Sequence, residues 1–451
     1  MDPASYWHEL VARHAGDRLC ASLAETMRAQ RLTFGGRLLC PFLRPFFLDA
    51  KDEARVRDAA EALWTLGERV TQAAMVDDTL LDDLVLREEE VRLARIDPGY
   101  ATTSTAARAD AFILADSLQF AEYNAESPAG LAYSQGLAEL FAGTPLMDEF
   151  RAHFDARMYR PVERILDALL ASYREWGGTA SPPLVAIVDW REVPTYTEFE
   201  LLRDAFTAAG VPAIVCDPRD LTFDERSPAH GLHAQGQRID LVYRRVLIND
   251  IVARPDECRA LVSAYERRAV CVANSLRCKI PHKKAFFAVL TDERRSALFS
   301  DRERELIRRH VPWTAVVREG RVRRDGRDID LVPYLRAHRD GLVIKPNDEY
   351  GGTGVTLGWE TSESDWDRAI ARALAERDRG WVAQERIAVR RERFPTCADG
   401  RVEMRDMLVD FAPYLFRGAL AGFLTRLSAT GLANVTSGGG QVPAFIVKGK
   451  M

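Results

Sequence analysis

The chain has 451 residues, of which 47% are apolar and 29% charged, and a formal net charge of −5. That length supports two or three domains around a sizeable core, and the charge removes any whole-protein electrostatic case for nucleic acid. Seven cysteines at 20, 40, 216, 258, 271, 278 and 397, none spaced C-x-x-C, argue against a disulfide framework or zinc site and fit a reducing cytoplasm.

No signal-peptide pattern opens the chain. Residues 4–31 and 51–96 carry apolar residues at helical spacing. Between them, residues 32–50 are apolar but broken by Arg37, Pro41, Arg44 and Pro45, so they read as a buried irregular segment that cannot span a bilayer. Around 107–124 the period changes to two, with a turn in the middle, and a helical pattern returns near 131–176. A strand at 182–190, a helix at 195–210 ending on Gly210 and a strand at 211–217 form a β-α-β unit, which 238–247 extends. No G-x-G-x-x-G follows its first strand, so a dinucleotide site is not indicated there. His230 and His233 fall in a polar loop and read as surface histidines. A lysine-rich helix start follows at 281–290 and strands at 313–323 and 341–345. The basic run 318–327 holds two turn signals, Glu319-Gly320 and Asp325-Gly326, and reads as a solvated hairpin. A helix near 363–378 precedes a C-terminal region of strands and glycine turns.

The segment KPNDEYGGTGVTLG, residues 345–358, has the composition of a phosphate loop. A P-loop puts its lysine after the glycines, at a helix start. The kinase-like fragments HRD (338–340) and DFA (410–412) stand in the wrong order around the glycines. What remains is a strand ending in Lys345, then a turn whose Gly351, Gly352 and Gly354 bring backbone N–H groups close to phosphate. Taken alone, the loop is equally a plain β-turn in a sheet. With a lysine pair upstream and the strand at 381–387 downstream, the order of parts resembles the ATP-grasp fold. The resemblance implies Lys284 (or Lys283) and Lys345 on the phosphates, the three glycines above them, and Gln384, Glu385 and Ile387 around the adenine.

After that strand the chain offers Asp406 and Asn434 but no clear pair of acids a few residues apart. The run 108–130, RADAFILADSLQFAEYNAESPAG, reads instead as strand, turn, strand. With a three-residue turn of Ala115, Asp116 and Ser117, Leu114 pairs with Leu118, Asp110 faces Glu122, and Arg108 faces Asn124. Opposed carboxylates repel unless a cation lies between them, and two carboxylates with an amide suit Mg²⁺. On that reading, neutralising Glu122 costs the metal-free fold little. The alternative is an exposed hairpin with scattered charges, and a slip of one residue would turn Glu122 to the other face.

FAEYNAESPAG is similar to the metal-binding signature of the glutathionylspermidine synthase family, the circularly permuted ATP-grasp ligases. In that family an acid lies twelve residues before the Glu-x-Asn pair and an arginine two before the acid, as do Asp110 and Arg108 here. The resemblance implies an α/β (α+β) permuted ATP-grasp fold with a β-α-β subdomain. Its parts would be residues 1–180 (helices plus metal hairpin), 181–275 (the α/β subdomain) and 276–451 (the nucleotide-binding region). It also implies ATP and Mg²⁺ as cofactors, metal ligands Asp110, Glu122 and Asn124, and small-molecule carboxylate and amine substrates, joined through an acylphosphate in the cytoplasm. Nucleic acid and membrane are not expected as partners. Arg108 would clamp the reacting carboxylate, with Arg426 either a second anion-binding group or a surface salt bridge. A phosphotransferase, or a nucleotide-binding protein without ligase activity, is the competing reading. The middle of the chain carries nothing that points to glutathione or spermidine.

Overall fold

The computed structural model describes residues 2–14, 16–114, 117–398, 401–429 and 439–450. The labelled strands are β1 (Ala106–Ile113), β2 (Leu118–Asn124), β3 (Leu342–Pro346), β4 (Trp381–Glu385), β5 (Arg401–Phe416) and β6 (Ala419–Ser428). The frame of the molecule is a six-stranded antiparallel sheet drawn from distant parts of the chain. Its order is Gly440–Val442, β6, β5, β1, β2, with Arg391–Ala398 also pairing β5.

The second half of β5 is buried residue after residue, as a strand covered on both faces must be. Its side chains alternate between two cores. Val409, Phe411 and Leu415 pack with Val56, Leu63 and Val70, while Ala412, Tyr414 and Phe416 join Ile165 and Leu169. The first set comes from helix α1 (Ala50–Ala74), whose N-cap Asp49 accepts from the Asp52 amide and meets an otherwise unpaired helix-end N–H. The second comes from the helix Pro161–Trp176.

The β-α-β unit read from the sequence is present. Cys271–Ala273, Leu241–Arg244, Val185–Val188 and Ala213–Cys216 form, in that order, a four-stranded parallel sheet. The helix Tyr196–Ala208 joins two of them. A third sheet, Thr314–Val316, β4, β3 and Thr356–Leu357, is antiparallel and faces the β1–β2 hairpin. The basic run forms the hairpin Arg321–Arg324 with Arg327–Asp330, turning on Asp325 and Gly326 at φ +50° and +73°.

Three details differ from the sequence reading. The hairpin turn is one residue longer, because Ile113 rather than Leu114 pairs with Leu118; Ala115 and Asp116 lie outside the described residues. The buried stretch 32–50 is more regular than read: Thr33–Phe34 pairs Arg37–Leu38, and Phe46–Asp49 runs parallel to Ala444–Gly449. The expectation against disulfides is corrected at one pair, since Cys20 and Cys397 are disulfide-bonded while Cys40, Cys216, Cys258, Cys271 and Cys278 are free and buried. With 377 residues between the partners, no spacing rule could reveal the bond. Of the two histidines read in a loop, His230 is exposed in the short turn Pro228–His230, while His233 is half-buried on the strand Leu232–Ala234, a correction to the loop reading. Among the described residues, no helix is long and apolar enough to cross a membrane.

Candidate nucleotide and metal site

The site starts from the register of β1 and β2. Arg108 pairs with Asn124 and Asp110 with Glu122, as the period-two pattern predicts, and the ladder then shifts so that Ala111 pairs with Phe120. Ala121 is therefore a bulge residue. A bulge leaves a backbone group without its ladder partner, and the Ala121 carbonyl is met by the Lys345 ammonium at 2.8 Å. Gln384 Oε1 accepts from the same ammonium at 2.8 Å. Burial lowers the Lys345 pKa to about 8, against the charge of Glu122.

Glu122 takes the second lysine, with Lys284 Nζ at 3.2 Å, and accepts from Asn124 Nδ2 at 3.2 Å. Burial alone would push its carboxyl up, but the Lys284 and Lys345 ammoniums hold it well below the usual range. This corrects the expectation that neutralising Glu122 costs little: two buried cations depend on it. Of the lysine pair, Lys284 lines the cleft. Lys283 turns away to Glu90 at 2.8 Å and Asp348 at 2.7 Å.

Asp110 is held by two arginines. Arg108 Nε lies 2.8 Å from its Oδ1 and Arg426 Nη2 lies 2.6 Å from its Oδ2. Arg108 Nη1 donates to the Ala129 carbonyl at 3.0 Å, so in this structure Arg108 orients Asp110 and is not a free carboxylate clamp. Arg426 lines the cleft, which removes the surface salt-bridge reading. Its Nε donates at 2.7 Å to Asp410, the residue directly across the β5–β6 ladder. Asp410 is 2% exposed, and burial outweighs Arg426 in raising its pKa to about 7. Sequence reasoning met Asp410 only as part of the rejected DFA fragment; an acid inside the apolar run LVDFAPYLF was the available signal.

These groups line a cleft of roughly 1070 Å³, counting its open mouth, between the hairpin and the third sheet. Phe112, Val343, Leu357, Trp359, Ile387 and Val389 make its apolar wall, suited to a planar base. Arg386 sits over the Trp359 ring at 4.2 Å. Gly351 and Gly352 line the cleft, and both have positive φ, +66° and +78°. Gly354, at φ +75°, supports the turn from beneath, where a Cβ would lie 2.8 Å from Pro346 Cγ. Of the segment assigned to adenine, Ile387 joins the apolar wall. The Gln384 side chain is spent on Lys345 and on Thr314 at 3.1 Å, and Glu385 is ion-paired with Arg324. Asp406 pairs with Arg391 on the exposed strand beyond the cleft; Asn434 lies outside the described residues.

Two carboxylates and an amide oxygen on one face are a hard-oxygen donor set that fits Mg²⁺. The lysines and the glycine turn fit a polyphosphate. Behind the glycine turn, Lys279 bonds Asp348 at 2.8 Å and Glu126 at 3.4 Å. Glu126, His282 and Asp348 stand close enough to hold a cation, and the Lys279 ammonium already supplies that charge.

Residues 113–428 match the family described as circularly permuted ATP-grasp type 2. The match begins just past Asp110, so Arg108 and Asp110 stand on geometry alone. A protein of Frankia casuarinae named "Putative glutamate--cysteine ligase 2-2" is 23% identical over 337 residues, covering 72% of this chain and 36% of that protein. An uncharacterized protein of Mycobacterium tuberculosis is 24% identical over 345 residues, covering 72% of this chain and 57% of that one. The chain thus spans less than two thirds of the length of either relative. The apo structure of a glutathione synthetase-like effector from Globodera pallida aligns with a TM-score of 0.60 at 12% identity, over 99% of this chain and 98% of that one, a likeness of fold.

Proposed function

Because the chain belongs to the circularly permuted ATP-grasp type 2 family, we propose that it is an ATP-dependent ligase that joins a carboxylate to an amine. One observation carries the reading: Lys345 and the bulged metal hairpin, 224 residues apart in sequence, meet at the cleft that also holds Lys284 and the glycine turn. In the proposed reaction a substrate carboxylate attacks the γ-phosphate of ATP. An acylphosphate and ADP result, and an amine then displaces phosphate to form the amide.

The protein's part is alignment and charge neutralisation. Lys284 and Lys345 meet phosphate oxygens, the N–H groups of the glycine turn close over them, and the apolar wall excludes water from the base. Arg426, at the boundary of the cleft and the acid pair, faces the transferring phosphoryl group. Asp110, Glu122 and Asn124 would hold Mg²⁺, which when bound neutralises charge on the terminal phosphates. A cytoplasmic reaction, where ATP is supplied, is part of this proposal. The substrates proposed are small: amino acids, peptides or polyamines. The name of the Frankia relative makes glutamate and cysteine the first pair to try.

The test is a product assay with ATP, Mg²⁺ and pooled acids and amines, read by mass spectrometry. A new amide with ADP and free phosphate is the expected outcome. AMP with pyrophosphate would overturn acylphosphate chemistry. A phosphorylated acceptor without free phosphate would make the protein a phosphotransferase.

A further inference from the structure

Asp110 is over-subscribed. Arg108 gives it two N–H groups, Nε to Oδ1 at 2.8 Å and Nη2 to Oδ2 at 3.3 Å, and Arg426 Nη2 gives a third at 2.6 Å to Oδ2. A dication at the same carboxylate meets two guanidinium charges within a few ångströms and is repelled by both. One arginine has to yield before Asp110 can act as a ligand.

The two arginines are not equally free to do so. Arg108 sits on the same strand as Asp110, is 8% exposed, and is tied by Nη1 to the Ala129 carbonyl. Arg426 has somewhere else to go. Its Nε donates to Asp410 Oδ2 at 2.7 Å, and its Nη2, the nitrogen that holds Asp110, also contacts that same Asp410 oxygen. The other oxygen of that carboxylate, Oδ1, is buried and has no hydrogen-bond partner. A buried acceptor left unmet is unfavourable. Both N–H groups crowd onto Oδ2, and when Nη2 leaves Asp110 and turns to Oδ1 the guanidinium makes the two-oxygen bidentate pair its planar fork favours.

We propose that Asp410 is a positioning residue that takes over Arg426 when a cation occupies Asp110. The step moves a hydrogen bond, with no proton transfer and no change in net charge. It frees the metal ligand while keeping Arg426 at the edge of the cleft. Arg426 and the metal then exclude one another on Asp110, and Asp410 sets how readily the exchange goes. This rests on the nucleotide and metal reading of the site.

The experiment measures Mn²⁺ binding to the full chain by electron paramagnetic resonance, with a non-hydrolysable ATP analogue present. The measurement is made at about pH 8.5, where Asp410 is ionised, and Asp410→Asn then keeps the size of the side chain and removes its charge. It is expected to weaken Mn²⁺ binding about tenfold while leaving metal-free binding of the analogue, and the circular dichroism spectrum, as in wild type. In an Arg426→Met background the same Asp410→Asn change is expected to have no effect, because there is nothing left to reposition. Wild-type Mn²⁺ affinity in Asp410→Asn overturns the inference alone. So does a loss that persists without Arg426, which would make Asp410 a structural acid or a direct ligand. If wild-type protein binds no Mn²⁺ with the analogue, the ligase reading falls and this inference falls with it.

Discussion

The ammonium of Lys345 lies 2.8 Å from the carbonyl oxygen of Ala121, the one residue that the bulge in the β1–β2 hairpin leaves unpaired. The phosphate side of the cleft is thereby fastened to its metal side through a backbone irregularity. Replacing Lys345 with Met keeps the stem and removes the charge. It is expected to lower kcat/KM at least about 100-fold and to weaken binding of an ATP analogue in calorimetry. Unchanged analogue affinity would show that Lys345 serves the hairpin and not the nucleotide.

Glu122→Gln separates the metal role from the structural one. Glu122 is close to Lys284 and Lys345, so its loss leaves two cations facing each other. Equilibrium unfolding in chelator is expected to show a loss of about 1–3 kcal/mol. Activity should fall about 100-fold, with Mn²⁺ binding weakened in parallel. A variant that keeps its Mg²⁺ dependence and its rate would remove Glu122 from the ligand set.

Gly354→Ala probes the glycine turn without touching a charge. At φ +75°, with Pro346 Cγ 2.8 Å from the new Cβ, the substitution costs about 1 kcal/mol or more of local strain. The expected result is weaker analogue binding with the melting temperature shifted by only a few degrees. Wild-type affinity would mean that the turn does not close on phosphate.

Asp217 gives a pH test away from the cleft. Burial raises its pKa, but hydrogen bonds from the Arg219 side chain and from the Arg219 and Arg191 amides more than offset this, lowering it from 3.8 to about 2. A depressed folded-state value means stability that is fully present above the unfolded value and lost as pH falls through the folded one. Asp217→Asn is therefore expected to cost about 1–2 kcal/mol at pH 7, discounted for the exposed side of Arg219. The gap between variant and wild type should close between about pH 4 and pH 2. A constant gap across that window would assign the loss to packing.

What could be read in advance follows from how far each interaction reaches along the chain. Asp110 and Glu122 were legible because a strand places every second residue on one face, and the pairing came out as read even though the turn did not. The longer turn and the Ala121 bulge cancel, and neither disturbs the alternation near the acids. Lys284 and Lys345 were legible from their place beside a helix start and a glycine turn. Asp410 was not, because its meaning comes from Arg426 across a ladder that the sequence does not number. Cys20 and Cys397 were hidden for the same reason: each is unremarkable where it stands, and only the fold makes them neighbours.

Asp110 and Arg426 are bonded across 316 residues of sequence, and the sheet between them is completed by β5 and β6. A ribosome therefore releases the acid hairpin long before the strand that flanks it exists. Until then β1 presents an unpaired edge with four alanines among its eight residues, the kind of surface that recruits foreign strands. The helix α1, made earlier still, packs on one face of the sheet and leaves the hydrogen-bonding groups of that edge open. Truncated translation products ending before β5 should accordingly depend on chaperones, and lose that dependence once β6 has left the exit tunnel.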